Sequence, residues 1–142
     1  MATRNELLTL ADRVEAATGP GRELDAEIAR AIGWGCVMRD PEAGHRWICW
    51  RKRYRDGEWI RLPHYTFSID AALTLVPEGW FIYGMGERVT PIIYKGDRHE
   101  HIDFWAETQH RQGGLLQKAF AATPALALVA ASLRAIAEES TP

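Results

Sequence analysis

The sequence predicts a single-domain α+β fold, an α/β sandwich in which helices pack on an antiparallel or mixed sheet across residues 1–142. Three observations carry this expectation. Apolar residues recur at helical spacing in four segments, aromatic and β-branched runs fill the regions between them, and short turns join neighbouring runs. The composition agrees, with 46% apolar and 25% charged residues, values typical of a soluble globular domain. A chain of this length can bury roughly 68–70% of the surface it exposes when unfolded. It needs no metal or disulfide staple, and disorder, collagen and small disulfide scaffolds are excluded.

The first helix is predicted over Glu6 to Ala17, with Leu7, Leu10, Ala11 and Val14 on one face and Asn5 as its N-cap. Gly19-Pro20-Gly21 ends it. A second helix follows from Arg22 to Ile32, with Glu23 and Asp25 in the first turn, where the helix dipole favours acids, and Gly33 just past its end. Trp47, Ile48, Trp50, Tyr54, Trp59 and Ile60 then read as strand, and Arg55-Asp56-Gly57-Glu58 as a two-residue hairpin turn that sets Tyr54 opposite Trp59. Ser68 caps a short helix, Ile69 to Leu75. Two strands, Trp80 to Tyr83 and Val89 to Tyr94, flank a Gly84-Met85-Gly86-Glu87 connection, and Lys95-Gly96-Asp97 turns into a third strand from about His101 to Thr108. Residues 38–45 and 110–116 read as connections. The last helix has Thr123 as N-cap, Pro124 at N1, and Leu126, Val129, Leu133 and Ile136 on one face. The sheet is expected to bury Ile48, Ile60, Ile82, Ile92, Ile102 and Phe104 against Leu7, Val14, Ile28, Leu73, Val129 and Leu133.

Several properties bear on location. The longest nearly apolar stretch, Pro124 to Leu133, is far shorter than the roughly 20 residues that span a bilayer, and the N-terminus lacks an apolar secretory core. The two cysteines, Cys36 and Cys49, have no metal-type spacing and read as buried reduced thiols. A cytosolic protein without a membrane partner is expected.

Three stretches resemble the phage ABA sandwich domain family, small proteins encoded in phages and prophages. They are Ala16-Ala17-Thr18-Gly19-Pro20 running into Arg22–Ala29, then Tyr65-Thr66 with Ser68–Trp80, and finally Ala122–Leu128. The resemblance spans nearly the whole chain and implies a single-domain α/β sandwich. It implies no activity, cofactor or catalytic residue. The middle, Trp47 to Arg61, departs from the family pattern by its length and basic character.

That basic segment is one candidate site. The chain carries a net charge of −2, yet residues 46–61 hold six arginines and lysines against Asp56 and Glu58, which makes the segment +4 and the remainder −6. Arg51, Arg53 and Arg55 share one face of an extended strand, opposite Trp50, Lys52 and Tyr54. Basic side chains neutralise phosphates and aromatic faces stack on bases, so the segment suits an anionic partner, nucleic acid or acidic protein; the competing reading is a solvated hairpin face.

A second candidate is His99, His101 and Asp103, which alternate and so share a strand face with Trp105, leaving Ile102, Phe104 and Ala106 on the other. Imidazole and carboxylate suit zinc or another divalent metal, but no fourth ligand is set by spacing. Neither cysteine lies in a catalytic motif, no G-x-S-x-G occurs, and Gly84-Met85-Gly86 lacks the third glycine of a dinucleotide fingerprint. A non-enzymatic phage or prophage accessory protein that binds a host or phage macromolecule is therefore expected, with no cofactor. A metal-dependent enzyme is the alternative.

Overall fold

In the computed structural model, which describes residues 1–39, 46–50 and 59–140, the chain runs α1 (Arg4–Ala16), α2 (Arg22–Ala31), β1 (Gly35–Arg39), β2 (Arg46–Trp50), β3 (Trp59–Arg61), α3 (Ile69–Leu73), β4 (Trp80–Tyr94), β5 (Asp97–His110), β6 (Leu116–Ala121) and α4 (Pro124–Glu139). The strands form two antiparallel three-stranded sheets, β1-β2-β3 and β4-β5-β6, so the fold is a single-domain α+β one with two sheets where one was expected. One continuous apolar core joins them, running from α1, α2, β1 and β2 to β5, β6 and α4. None of the helices described is long and apolar enough to cross a membrane.

Local chemistry explains most helix ends. Thr3, not Asn5, caps α1: its hydroxyl accepts from the Glu6 N–H at 3.2 Å while the Glu6 carboxylate accepts from the Thr3 N–H at 2.8 Å, a reciprocal capping box. Ser68 and Thr123 cap α3 and α4 as predicted. Helix α4 is apolar on all sides. Every residue from Ala125 to Ala137 except Arg134 is buried, and α4 packs against α1, α3 and all three strands of the β4-β5-β6 sheet. The alanines that fill the positions outside the Leu126, Val129, Leu133 and Ile136 face are buried as well.

Strand β4 is one continuous strand. Residues 84–87 belong to it, with a bulge between Ile82 and Gly84. The glycines make room for Trp105 on β5: a Cβ on Gly84 would lie 2.9 Å from its ring, and one on Gly86 2.7 Å. Lys95 and Gly96 both have positive φ, at 51° and 79°, and make a two-residue turn between β4 and β5, shorter than the predicted Lys95-Gly96-Asp97 turn because Asp97 already pairs with Tyr94. Strand β6 begins at the end of the predicted 110–116 connection, in a stretch for which the sequence predicts no element. It pairs with β5 from Phe104 to Gln109.

The Asp56-Gly57 turn lies outside the described residues. Tyr54, predicted opposite Trp59, lies outside them too; in the described ladder Trp59 pairs with Trp50. The predicted core also shifts. Leu7, Val14, Ile28, Val129 and Leu133 are fully buried, and Ile48, Ile82 and Phe104 are half-buried, whereas Ile60, Leu73, Ile92 and Ile102 are exposed. Ile92 and Ile102 lie where, among the described residues, β6 no longer flanks β5, and they stay 44% and 49% exposed.

Cys36 and Cys49 face each other across β1 and β2, buried and free, and the Cys49 thiol donates to the Cys36 sulfur at 3.0 Å. Burial first, and this contact second, push the Cys49 thiol up from its ordinary value of 9.0 to about 12. Its protonated form is favoured in the fold, so this stabilisation is complete below pH 9 and is lost as pH rises towards 12. Because both sulfurs are buried and the reactive thiolate is disfavoured at Cys49, an alkylating reagent at neutral pH is expected to leave both cysteines of the native chain intact and to label both after denaturation. Rapid labelling of the native protein would show that β1 and β2 separate readily.

Candidate functional site

Sheet β4-β5-β6 is three strands wide only at its base. On the tip side of Phe104 it continues, among the described residues, as β4 and β5 alone, and every residue from Glu87 to Ile102 is exposed. A two-stranded ribbon without a covering layer is marginal in water, so this arm depends on its foot. There Arg88 donates to Asp103, Nε to Oδ1 at 2.8 Å and Nη2 to Oδ2, a two-pronged pair between directly opposed residues. The same guanidinium lies 3.9 Å from the centre of the Phe120 ring on β6. Beside it, Trp105 lies over Gly84 and Gly86, with the Lys118 ammonium 4.8 Å from the indole. The hydrogen bond from Arg88 holds the Asp103 carboxyl below the usual carboxylate range against the opposing effect of burial. The clamp is therefore intact above the ordinary carboxylate value and is lost as acid protonates Asp103 through its lowered one.

Alternation sorts the arm into two faces. The face continuous with Ala106 and Phe104 carries Ile102, Glu100 and Arg98 on β5 opposite Val89, Pro91 and Ile93 on β4. The other carries Asp103, His101, His99 and Asp97 opposite Arg88, Thr90, Ile92 and Tyr94. Ile93, at 80% exposure, and Tyr94 stand at the tip. Charged and apolar side chains thus share a projecting, accessible element.

The expected strand face of His99, His101, Asp103 and Trp105 holds in the register. The structure does not assemble it as a ligand set, since both Asp103 oxygens are engaged by Arg88 and the two histidines are exposed. Among the described residues no group of three or more His, Cys, Asp or Glu is placed to hold a metal ion. Arg51, Arg53 and Arg55 lie outside the described residues. Among the described residues, Arg22, Trp47, Ile48, Arg61, Leu62, Pro63 and His64 line a cleft of about 630 Å³, and the Arg30 guanidinium lies 5.8 Å from the Trp47 ring.

No family model, curated protein or solved structure matches the chain.

Sequence reasoning missed one further polar centre. Asp25, read as a first-turn acid, is 1% exposed. Its carboxylate accepts from the Thr66 N–H at 2.8 Å, the Thr66 hydroxyl at 2.7 Å and Arg22 at 2.7 Å; Thr66 in turn accepts from the Gly21 N–H, and Arg22 reaches the Leu62 and Pro63 carbonyls. Residues 21–25 and 62–66 are thereby locked together.

Proposed function

We propose that the protein acts by binding a macromolecule of the phage or its host through the β4–β5 arm, as a non-catalytic accessory protein of the ABA sandwich type. One observation carries this reading: a ribbon exposed from Glu87 to Ile102 is held rigidly at its foot by Arg88, Asp103, Phe120 and Trp105 while its tip presents Ile93 and Tyr94. Exposed aliphatic and aromatic side chains on a braced element suit protein contacts. The phage assignment is supported by the three stretches that resemble the family, of which Arg22–Ala29 and Tyr65-Thr66 meet at Asp25. An Ile93→Glu variant tests the arm. The side chain is mostly exposed, so stability should change by no more than about 0.5 kcal/mol, whereas a partner retained from bacterial lysate by the wild type should be lost. Identical retained proteins for both would remove the arm from the function.

A second reading is favoured by the +4 segment and the adjoining cleft with Arg22, Trp47, Arg61 and His64. Here Arg51, Arg53 and Arg55 contact an anionic partner, with single-stranded nucleic acid as the simplest probe. Replacing all three by alanine should weaken binding at low salt. It should also reduce the slope of log K against log salt by about 0.7 for each phosphate contact removed. A mobility-shift assay in which wild type and variant bind alike, or neither binds, would overturn it.

A further inference from the structure

We infer that the arm is also a self-association element: two copies of this chain join through the open edge of β5, residues 97–101, in antiparallel alignment about a two-fold axis at His99. The inference rests on reading the arm as a binding element. Among the described residues β6 pairs with β5 only from Phe104 to Gln109, so the β5 edge from Asp97 to Asp103 has no strand beside it. Such an edge is a template for another strand. The opposite edge of the arm, on β4, carries Pro91, which has no N–H to give, whereas β5 contains no proline.

Symmetry and charge select the register. In an antiparallel pair across a two-fold axis perpendicular to the sheet, the faces match only where some residue meets its own copy. Centred on Arg98, the pairing sets arginine against arginine; centred on Glu100, it sets carboxylate against carboxylate and Arg98 against Ile102. Centred on His99, Arg98 of each chain faces Glu100 of the other, and Asp97 faces His101, each contact made twice. This register also brings the Lys95-Gly96 turn of the second copy beside Ile102 and Asp103. There, a recess of about 440 Å³ between the foot of the arm and the end of α1 is lined by residues that include Glu15 and Asp103. So short an interface places the dimer in the weak, reversible class.

Sedimentation equilibrium on the full chain tests the inference, with circular dichroism to confirm folding. Arg98 and Glu100 are both exposed, so their substitution leaves the core untouched. Wild type should show a concentration-dependent monomer–dimer equilibrium. Arg98→Glu or Glu100→Arg alone should raise the dissociation constant about tenfold or more, since each sets like charges face to face. The double variant should return it to within about threefold of wild type, because the swapped charges again meet across the axis. A wild type that stays monomeric into the millimolar range, a dimer indifferent to the single changes, or a double variant without rescue would each overturn the dimer. Failure here with loss of the retained partner by Ile93→Glu overturns self-association alone; a rescued dimer that retains no partner overturns the other reading alone.

Discussion

Asp25→Ala is expected to lower the free energy of unfolding by about 3–5 kcal/mol, the range seen when one partner of a buried, hydrogen-bonded charge pair is removed. The substitution leaves the Thr66 N–H without its acceptor, leaves the Thr66 hydroxyl only the longer bond to the Gly21 carbonyl at 3.3 Å, and strips Arg22 of its carboxylate, at a site where Asp25 is almost wholly buried. Unpaired buried donors cost more than the hydrogen bonds themselves contribute. Asp25→Asn should cost less, because an amide oxygen can still accept from Thr66 while the Arg22 pair is lost. Glu23→Ala is the control. Glu23 is an exposed acid in the same first turn, and its removal should cost no more than about 1 kcal/mol. Urea unfolding with an unchanged m-value reads all three. Equal losses for Asp25→Ala and Glu23→Ala would reduce Asp25 to a helix-dipole acid.

Leu128→Ala should cost about 2–5 kcal/mol. A helix packed on one side along Leu126, Val129, Leu133 and Ile136 would leave residue 128 off that face, and its truncation would then change stability by only about 0.5 kcal/mol. In the structure α4 is wrapped by α1, α3 and the sheet, and Leu128 is fully buried. Its cost should match that of Leu133→Ala within the scatter expected for core leucines. A marked difference, with Leu128→Ala near neutral in denaturant titration, would mean that α4 has an open side.

Much of the local architecture was legible in the chain. Ser68, Thr123-Pro124 and Gly33 punctuate helices as their chemistry dictates, and the Lys95-Gly96 turn follows from a glycine where φ must be positive. The cap of α1 was readable too, since Thr3-Arg4-Asn5-Glu6 has the spacing of a capping box. Other features were not readable. Gly84 and Gly86 look like a break until Trp105, from the next strand, is laid across them. Leu116–Ala121 lacks a run of β-branched residues and is a strand because β5 supplies its hydrogen bonds. Among the candidate residues, strand alternation placed His99, His101 and Asp103 on one face correctly. It could not show that Asp103 is held by Arg88, its cross-strand neighbour.

By itself the sequence determined what depends on neighbours within about one turn of helix or one hairpin: the four helices and their caps, the β4–β5 turn, the α+β class, and the +4 segment within an otherwise acidic chain. Those features follow from dihedral preference, periodicity and charge, which act along the chain. Only the tertiary structure decided which polar and apolar residues are buried. It divided the strands into two sheets, made Asp25 a buried centre by bringing Thr66 to it, surrounded α4 on every side, and left Ile92, Ile93 and Ile102 exposed. The physical reason is that burial depends on which distant segment arrives to cover a residue. An isoleucine has the same strand preference under a helix or at the tip of an arm.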